Sequence, residues 1–178
     1  SGITPLHLAC AYGYVEILNL LANTVDEVDL NRKSSLGQTP LHIACRFGQT
    51  AIISRLVSLS CCEKSKNMQD NAGFTPLHVA CMFGQIEAVK VLLSVSGVDL
   101  TKTSNNGKTA LTLAGESTSK DSPLVIKAIT TALQDQEAKA RQEREKEHTK
   151  IAHNKAKKAK RLAREAAAAT GQPETHRY

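Results

Sequence analysis

The sequence predicts an all-α fold: a solenoid of stacked helical hairpins with β-turn fingers, followed by a long charged C-terminal helix. The first observation is a repeated segment, Thr-Pro-Leu-His, at 4–7, 39–42 and 75–78, with a degraded copy at 109–112. A period of about 35 residues is typical of stacked repeat arrays, in which each unit covers the apolar face of the next. The second observation is an apolar segment after each complete copy, and the third is a stretch at 124–170 without glycine or proline.

The first helix of each repeat is predicted to begin at the proline. In the second copy, Thr39 is a favourable N-cap, and Pro40 loses nothing at the first helical position because its missing N–H would have had no partner there. Gly48 ends this helix. Apolar residues then recur at helical spacing in both helices of the hairpin: Leu41, Ala44 and Cys45, followed by Ile52, Ile53, Leu56 and Val57.

Each copy extends to Gly-x-Thr-Pro-Leu-His-x-Ala-Cys-x-(Tyr/Phe)-Gly, as at 37–48. This pattern resembles the ankyrin repeat. The resemblance covers about 1–133 and implies a binding array without chemistry of its own. We place the repeats at about 1–36, 37–72, 73–106 and 107–133, a charged and partly free-standing basic helix at 134–170, and a disordered end at 171–178. Since the first repeat lacks its opening β-turn, we expect the chain to be a fragment of a longer protein.

The fourth repeat departs from this pattern. Ala110 replaces the proline, Thr112 replaces the histidine, and a polar insertion is predicted at 115–122. Terminal repeats are commonly atypical because one of their faces meets solvent. We therefore interpret this repeat as a cap. The replacement at Thr112 puts the histidine-mediated turn in doubt but not the helix.

The cysteines and histidines that occupy equivalent positions in the repeats form ladders, not ligand sets. Equivalent helices of stacked repeats lie about 8 to 10 Å apart, whereas a disulfide needs Cα atoms within about 7 Å and zinc needs sulfurs at about 2.3 Å. The resemblance implies that each histidine orients its turn through hydrogen bonds. Cys61 and Cys62 lie near lysines, which leaves open a reactive thiol as well as plain packing. The residues in the ladders are Cys10, Cys45, Cys81, His7, His42 and His78.

Neither composition nor sequence motifs indicate an enzyme. We find no nucleophile with its base, no carboxylate pair in a cleft pattern and no phosphate-binding glycine loop. Hydrophobic residues make up 41% of the chain, yet no apolar run approaches the roughly 20 residues of a membrane span. We therefore predict no catalysis, no cofactor, no metal, no small-molecule substrate and no membrane span. Unpaired thiols favour a reducing compartment, so we expect a cytoplasmic protein that also enters the nucleus if its tail is an import signal.

The resemblance implies a binding face made by the β-turn tips and the exposed end of the first helices, a concave surface in that family. Aromatic residues form only 3% of the chain, yet every phenylalanine falls in these positions. Aromatic residues and methionine are typical interface anchors. For Tyr12, Phe47 and Phe83, packing against the neighbouring repeat is the alternative; Phe74 is favoured because a turn should project it. The predicted partner-binding residues are Tyr12, Lys33, Leu36, Arg46, Phe47, Asn71, Phe74, Met82, Phe83, Asn105 and Lys108.

The C-terminal tail carries most of the charge. Of the net +6, residues 1–133 contribute 11 basic and 10 acidic side chains, and 134–178 contribute 12 and 7. Ser122 is predicted to cap the long helix. The basic patch allows three interpretations: a solvated helix, a nuclear import signal read by an importin, or a contact with nucleic acid or an acidic protein. An alanine seam at 152–166 adds a coiled coil as a further alternative. The patch consists of Lys150, Lys155, Lys157, Lys158, Lys160, Arg161 and Arg164.

Two functions follow from these patterns. The leading hypothesis is a non-catalytic scaffold or adaptor that binds another protein through the concave face. The alternative is a nuclear factor whose basic tail contacts nucleic acid or directs import while the repeats recruit a regulator.

Overall fold

The computed structural model describes residues 2–24 and 29–169, except for the side chains of 23–24, 60–63 and 163–169. The predicted disordered end at 171–178 and the predicted helix stop after Thr170 lie outside the described residues. The same holds for the side chains of Cys61, Cys62 and Arg164.

The described chain is helical, and its helices follow one another as hairpins. This confirms the predicted all-α class and the long C-terminal helix. A 3₁₀ segment, Ser60–Asn67, follows the second hairpin. The helices are α1 (Pro5–Tyr12) and α2 (Val15–Thr24), α3 (Pro40–Arg46) and α4 (Thr50–Ser58), α5 (Pro76–Met82) and α6 (Ile86–Ser94), and α7 (Ala110–Glu116) and α8 (Ser122–Ala169).

The first helices begin where the sequence predicts. α1, α3 and α5 each start at the proline, with the preceding threonine in the N-cap position. The hydroxyl of Thr4 accepts the backbone N–H of His7 at 3.4 Å, and Thr75 does the same for His78 at 3.4 Å. One otherwise unpartnered donor of the first turn is thereby satisfied.

The β-turn fingers before the first helices share one hydrogen-bond pattern. Ser34 N–H donates to the carbonyl of Gln38 at 2.9 Å, and Asp70 N–H donates to that of Phe74 at 2.9 Å. Gly73 closes the second of these turns with φ of 80°, a value that a residue with a Cβ adopts only at a cost. The fingers therefore have the same geometry in successive repeats.

The core is continuous from repeat to repeat. α1 packs on α3, α3 on α5 and α5 on α7, while α4 packs on α6 in the second layer. Val125 and Ile129, near the start of α8, are fully buried and complete the last hairpin. The described chain falls into two compact units, one up to Leu133 and one from Gln134 onward.

One local prediction in the fourth repeat is wrong, that Ser122 is the N-cap of the long helix. α8 begins at Ser122 itself, because Val125 N–H donates to the carbonyl of Asp121 at 3.0 Å and so makes Asp121 the N-cap. The hydroxyl of Ser122 instead donates to the carbonyl of Ser117 at 2.9 Å. The first two residues of the polar insertion, Gly115 and Glu116, still belong to α7.

Candidate functional site

Three buried histidines tie each repeat to the next. In the second repeat, His42 Nδ1 accepts the backbone N–H of Thr39 at 3.1 Å and contacts its hydroxyl at 2.8 Å. On the other side of the ring, Nε2 lies 2.9 Å from the carbonyl oxygen of Phe74 in the following turn. His7 and His78 repeat this arrangement toward Gln38 and Lys108. The role that the family resemblance implied for the histidines is confirmed.

These bonds determine the protonation state of the ring. Nδ1 faces a backbone N–H, which only donates, so Nδ1 must be the acceptor and Nε2 must carry the proton. Burial lowers the pKa of His42 and of His78, which also favours the neutral ring. The histidines are therefore structural groups in one fixed tautomer.

The cysteines of the ladder are buried and free. Cys10, Cys45 and Cys81 have no accessible surface. Burial raises the pKa of Cys10 and of Cys81 to about 12, and it raises that of Cys45 as well. Within the part of the chain that the structure describes, no group of three or more metal-ligating side chains comes together. The described helices also include none long and apolar enough to cross a bilayer.

Two predicted partner-binding residues, Asn71 and Asn105, connect the turn fingers. The side-chain amide of Asn71 donates to the carbonyl of Ser35 at 2.9 Å, and its backbone N–H donates to Leu36 at 3.1 Å. Asn105 repeats both bonds one finger further on, with its side chain donating to Asn71 at 3.0 Å. Both asparagines are exposed, but their donors already serve the array.

The two predicted lysines of the fingers also have partners. Lys33 Nζ donates to the carbonyl of Gln69 at 2.8 Å, which links two fingers. Lys108 Nζ forms an ion pair of 2.6 Å with Glu116. The charge of Lys108 is therefore compensated by a carboxylate, whereas Lys33 keeps its charge because its acceptor is a neutral carbonyl.

Phe74 does not project from its turn as expected. It is half-buried, and its ring tilts against that of His78 with centroids 6.1 Å apart. The hydrogen bond that its carbonyl accepts from His42 holds the turn against the preceding repeat. Phe74 and Met82 line a shallow groove together with Lys108 and Glu116, so three of the predicted residues do come together here.

The other predicted aromatic residues are exposed. Tyr12 is 68% exposed, Phe47 52% and Phe83 42%. Packing against the neighbouring repeat, the alternative raised for them, therefore covers only part of each ring. Leu36, at the tip of the first described finger, is 62% exposed.

Arg46 lies close to two of these rings. Its guanidinium carbon is 4.9 Å from the centroid of Phe83 and 5.8 Å from that of Phe47, within cation–π range. The side chain of Gln85 donates to the carbonyl of Arg46 at 3.1 Å, which fixes the end of α3 against the third repeat. We call Tyr12, Arg46, Phe47 and Phe83 the aromatic face.

Sequence reasoning missed two residues beside the aromatic face. Tyr14 lies with its ring centroid 6.0 Å from that of Tyr12 and is half exposed. Leu8, one helical turn before Tyr12, is 51% exposed, whereas the equivalent Ile43 and Val79 are buried. The sequence did not predict that Leu8 is exposed, because the equivalent residues of the next two repeats belong to the core.

A family model for ankyrin repeats, in three copies, matches residues 1–64 and 56–129. The chain belongs to the ankyrin-repeat family. No match was found among curated proteins. Ankyrin repeats are generally protein–protein interaction modules, so a protein partner is the coarse function that this membership supports.

Outside its ankyrin repeats, the chain carries the predicted basic patch on α8. The patch residues with described side chains, from Lys150 to Arg161, are exposed. Lys150, Lys157 and Lys160 recur at intervals of three or four and multiples of them, so they share one face of the helix with His153 and Arg161. Along the alanine seam, Ala152, Ala156 and Ala159 are exposed as well, and the coiled coil stays a prediction.

Proposed function

We propose that this ankyrin-repeat chain is a non-catalytic scaffold that binds another protein through its concave surface, centred on the aromatic face. The observation that carries the proposal is the exposure of Tyr12, Phe47 and Phe83, which precede the helix-ending glycine in three consecutive repeats. A side chain at the same place in each repeat forms a row across the array.

Exposed aromatic rings in a row are costly unless something covers them. Large contiguous apolar patches are uncommon on monomers, and they mark interaction sites when polar residues surround them. The turn fingers of the same array carry polar residues at Lys33, Asn71 and Asn105. Aromatic side chains also lose little conformational entropy when a partner packs on them. The aromatic face therefore has the composition of an interface core with a polar border.

The test replaces two rings and follows the captured partners. The chain carrying Phe47→Ala and Phe83→Ala should lose most of the proteins that the unchanged chain captures, while its unfolding midpoint changes little because both rings are half exposed. Leu124→Ala is the matched control, because Leu124 is also 56% exposed but lies on α8. An unchanged partner set for the double variant would contradict the proposal.

A second candidate function is favoured by the basic face of α8. We propose it as the alternative: a nuclear factor whose tail contacts nucleic acid or an importin, in a protein that is otherwise cytoplasmic. Lys150, His153, Lys157, Lys160 and Arg161 lie on one face, and no acidic residue occurs between Lys150 and Arg164. No aromatic residue is interleaved, so base stacking contributes nothing and phosphate contact must dominate.

Two measurements separate the branches of this alternative. Fluorescence anisotropy with a random-sequence duplex should show binding that weakens steeply with salt and disappears when residues 150–164 are deleted. A fusion of the tail to a fluorescent reporter should accumulate in nuclei if an importin reads the patch. Absence of both effects would leave a solvated helix and contradict the alternative.

A further inference from the structure

We propose that the aromatic face selects an acidic partner segment, in which a carboxylate binds Arg46 and a neighbouring apolar side chain packs on Phe47 and Phe83. This inference rests on the proposed function, because it names the chemistry of the partner at the same site. The evidence is the arrangement of charge around the three side chains.

The position of Arg46 leaves its hydrogen-bond donors available. The guanidinium carbon lies over the rings of Phe83 and Phe47, 4.9 and 5.8 Å from their centroids, and this contact uses none of its hydrogen-bond donors. The N–H groups lie around the edge of the guanidinium plane and match the two oxygens of a carboxylate. Stacking also reduces the freedom of a long side chain before any partner arrives, which lowers the entropic cost of binding.

Among the described residues, no carboxylate pairs with Arg46. In the described part of the chain, the exposed ion pairs join Lys90 to Glu87 and Lys108 to Glu116, and no acidic side chain lies within ion-pair distance of Arg46. Lys108 is thus neutralised locally, whereas the charge of Arg46 is not. A cation that is held in place and lacks an intramolecular counter-ion is suited to an anionic partner group.

The surroundings reinforce the positive charge. Among the predicted face residues none is acidic, and Lys33 adds a second cation, whereas Lys108 is paired with Glu116. The finger carboxylate of Asp70 accepts the backbone N–H groups of Ala72 and Phe74 at 3.0 and 2.9 Å, so it is used within its own turn. Electrostatic complementarity therefore favours a segment with acidic residues over a neutral or basic one.

The rings add a second requirement. Phe47 and Phe83 are 52% and 42% exposed beside the guanidinium, and an apolar partner side chain would cover the surface that Arg46 leaves free. In an extended segment, side chains two positions apart lie on the same side at roughly 7 Å. The partner segment should therefore carry Asp or Glu within a few positions of a bulky apolar residue.

The experiment uses random peptides displayed on phage, selected on the full chain. Selected peptides should be enriched in Asp or Glu close to a Leu, Ile, Phe or Met. Arg46→Gln should weaken binding of the selected acidic peptides by about tenfold at low salt, and Arg46→Lys should recover only part of it because an ammonium lacks the planar fork. Lys127→Gln, which removes an exposed charge from α8, should have no effect.

The outcomes distinguish the preference for an acidic partner from the proposed function, which is protein binding at the aromatic face. Peptides that require Phe83 but show no acidic enrichment, and that bind Arg46→Gln as well as the unchanged chain, would overturn the inference alone. A selection in which no peptide depends on Phe47 or Phe83 would overturn the proposed binding face as well. Unfolding curves of each variant show whether a loss of binding reflects a loss of fold.

Discussion

The imidazole Nε2 of His42 donates to the backbone carbonyl of Phe74 at 2.9 Å, while Nδ1 of the same ring accepts from Thr39 at the start of the helix. One side chain thus satisfies the N-cap of its own repeat and holds the turn finger of the next repeat. The stacking of the array depends on this double use, which recurs at His7 and His78.

We expect His42→Ala to lower the free energy of unfolding by about 3 kcal/mol, because a fully buried ring is lost together with its bonds to Thr39 and Phe74. Urea unfolding followed by circular dichroism measures this. Thr112→Ala is the matched control, because Thr112 occupies the same place in the fourth repeat and is exposed. Among the described side chains its hydroxyl bonds to that of Thr109, so its loss should cost less than about 1 kcal/mol. Equal costs for the two variants would contradict the importance of the bond between repeats.

Stability should fall as the pH drops below about 6.5, the ordinary pKa of histidine. Burial lowers the pKa of His42 and His78 in the folded state, so the unfolded chain binds protons first as the solution is acidified. The stabilisation is fully present above the unfolded pKa and is lost as the pH falls toward the folded one. Asp99, whose pKa is lowered by its bonds to Thr101, affects stability in a separate window below about 4.

Urea midpoints between pH 8 and pH 5 measure this dependence. Replacing His42 and His78 together by Gln should flatten the profile over that range. Replacing the exposed His148 and His153 by Gln should leave the profile as it is. A slope that survives the first pair of substitutions would show that other groups cause it.

Some features were predictable from the sequence because local chemistry decides them. A threonine before a proline favours a helix start, because the hydroxyl can cap the first turn and the proline lacks only an N–H without a partner. The apolar spacing of α4 and α6 likewise predicts which of their residues are buried. The prediction that Ser122 caps α8 failed because its hydroxyl donates to the carbonyl of Ser117, an acceptor that only the loop geometry brings within reach. Rules based on neighbouring residues cannot predict that the hydroxyl bonds to this carbonyl instead of capping the helix.

The candidate site was less predictable, because its contacts join different repeats. Arg46 meets Phe83 only once α3 and α5 are stacked in register. The family pattern assigned Phe74 to an outward turn, but packing against His78 covers part of its ring. Asn71 and Asn105 have polar side chains at exposed turns, and only the stacked fingers show that their donors are already used.

We expect Gly73→Ala to destabilise the chain by about 2 to 3 kcal/mol and Gly107→Ala by only about 1 kcal/mol. Both glycines have positive φ, 80° and 72°, so both substitutions carry the cost of a left-handed backbone. A Cβ at Gly73 would lie 2.5 Å from the backbone nitrogen of Asn105, whereas nothing lies within 4 Å of one at Gly107. The difference between the two variants therefore measures how closely adjacent fingers approach.

Chemical denaturation of the two glycine variants under identical conditions gives that difference directly. Equal losses of stability in both variants would contradict the close approach of the finger that contains Gly73 to the finger that contains Asn105. A further check adds Asn105→Ala to the Gly73→Ala variant. This second substitution leaves the backbone nitrogen of Asn105 in place, so it should not restore the stability that Gly73→Ala loses.

The thiols of Cys10, Cys45 and Cys81 should resist alkylation in the folded protein. Thiolate is the reactive form, and burial raises the pKa of Cys10 and of Cys81 to about 12, so little thiolate exists at neutral pH even before access is considered. In a chain carrying Cys61→Ser and Cys62→Ser, labelling by iodoacetamide followed by mass spectrometry should be slow in buffer. It should accelerate with urea in step with unfolding, because labelling requires opening of the core. Labelling of any of the three at the rate of a free thiol would show that the repeats open locally without unfolding.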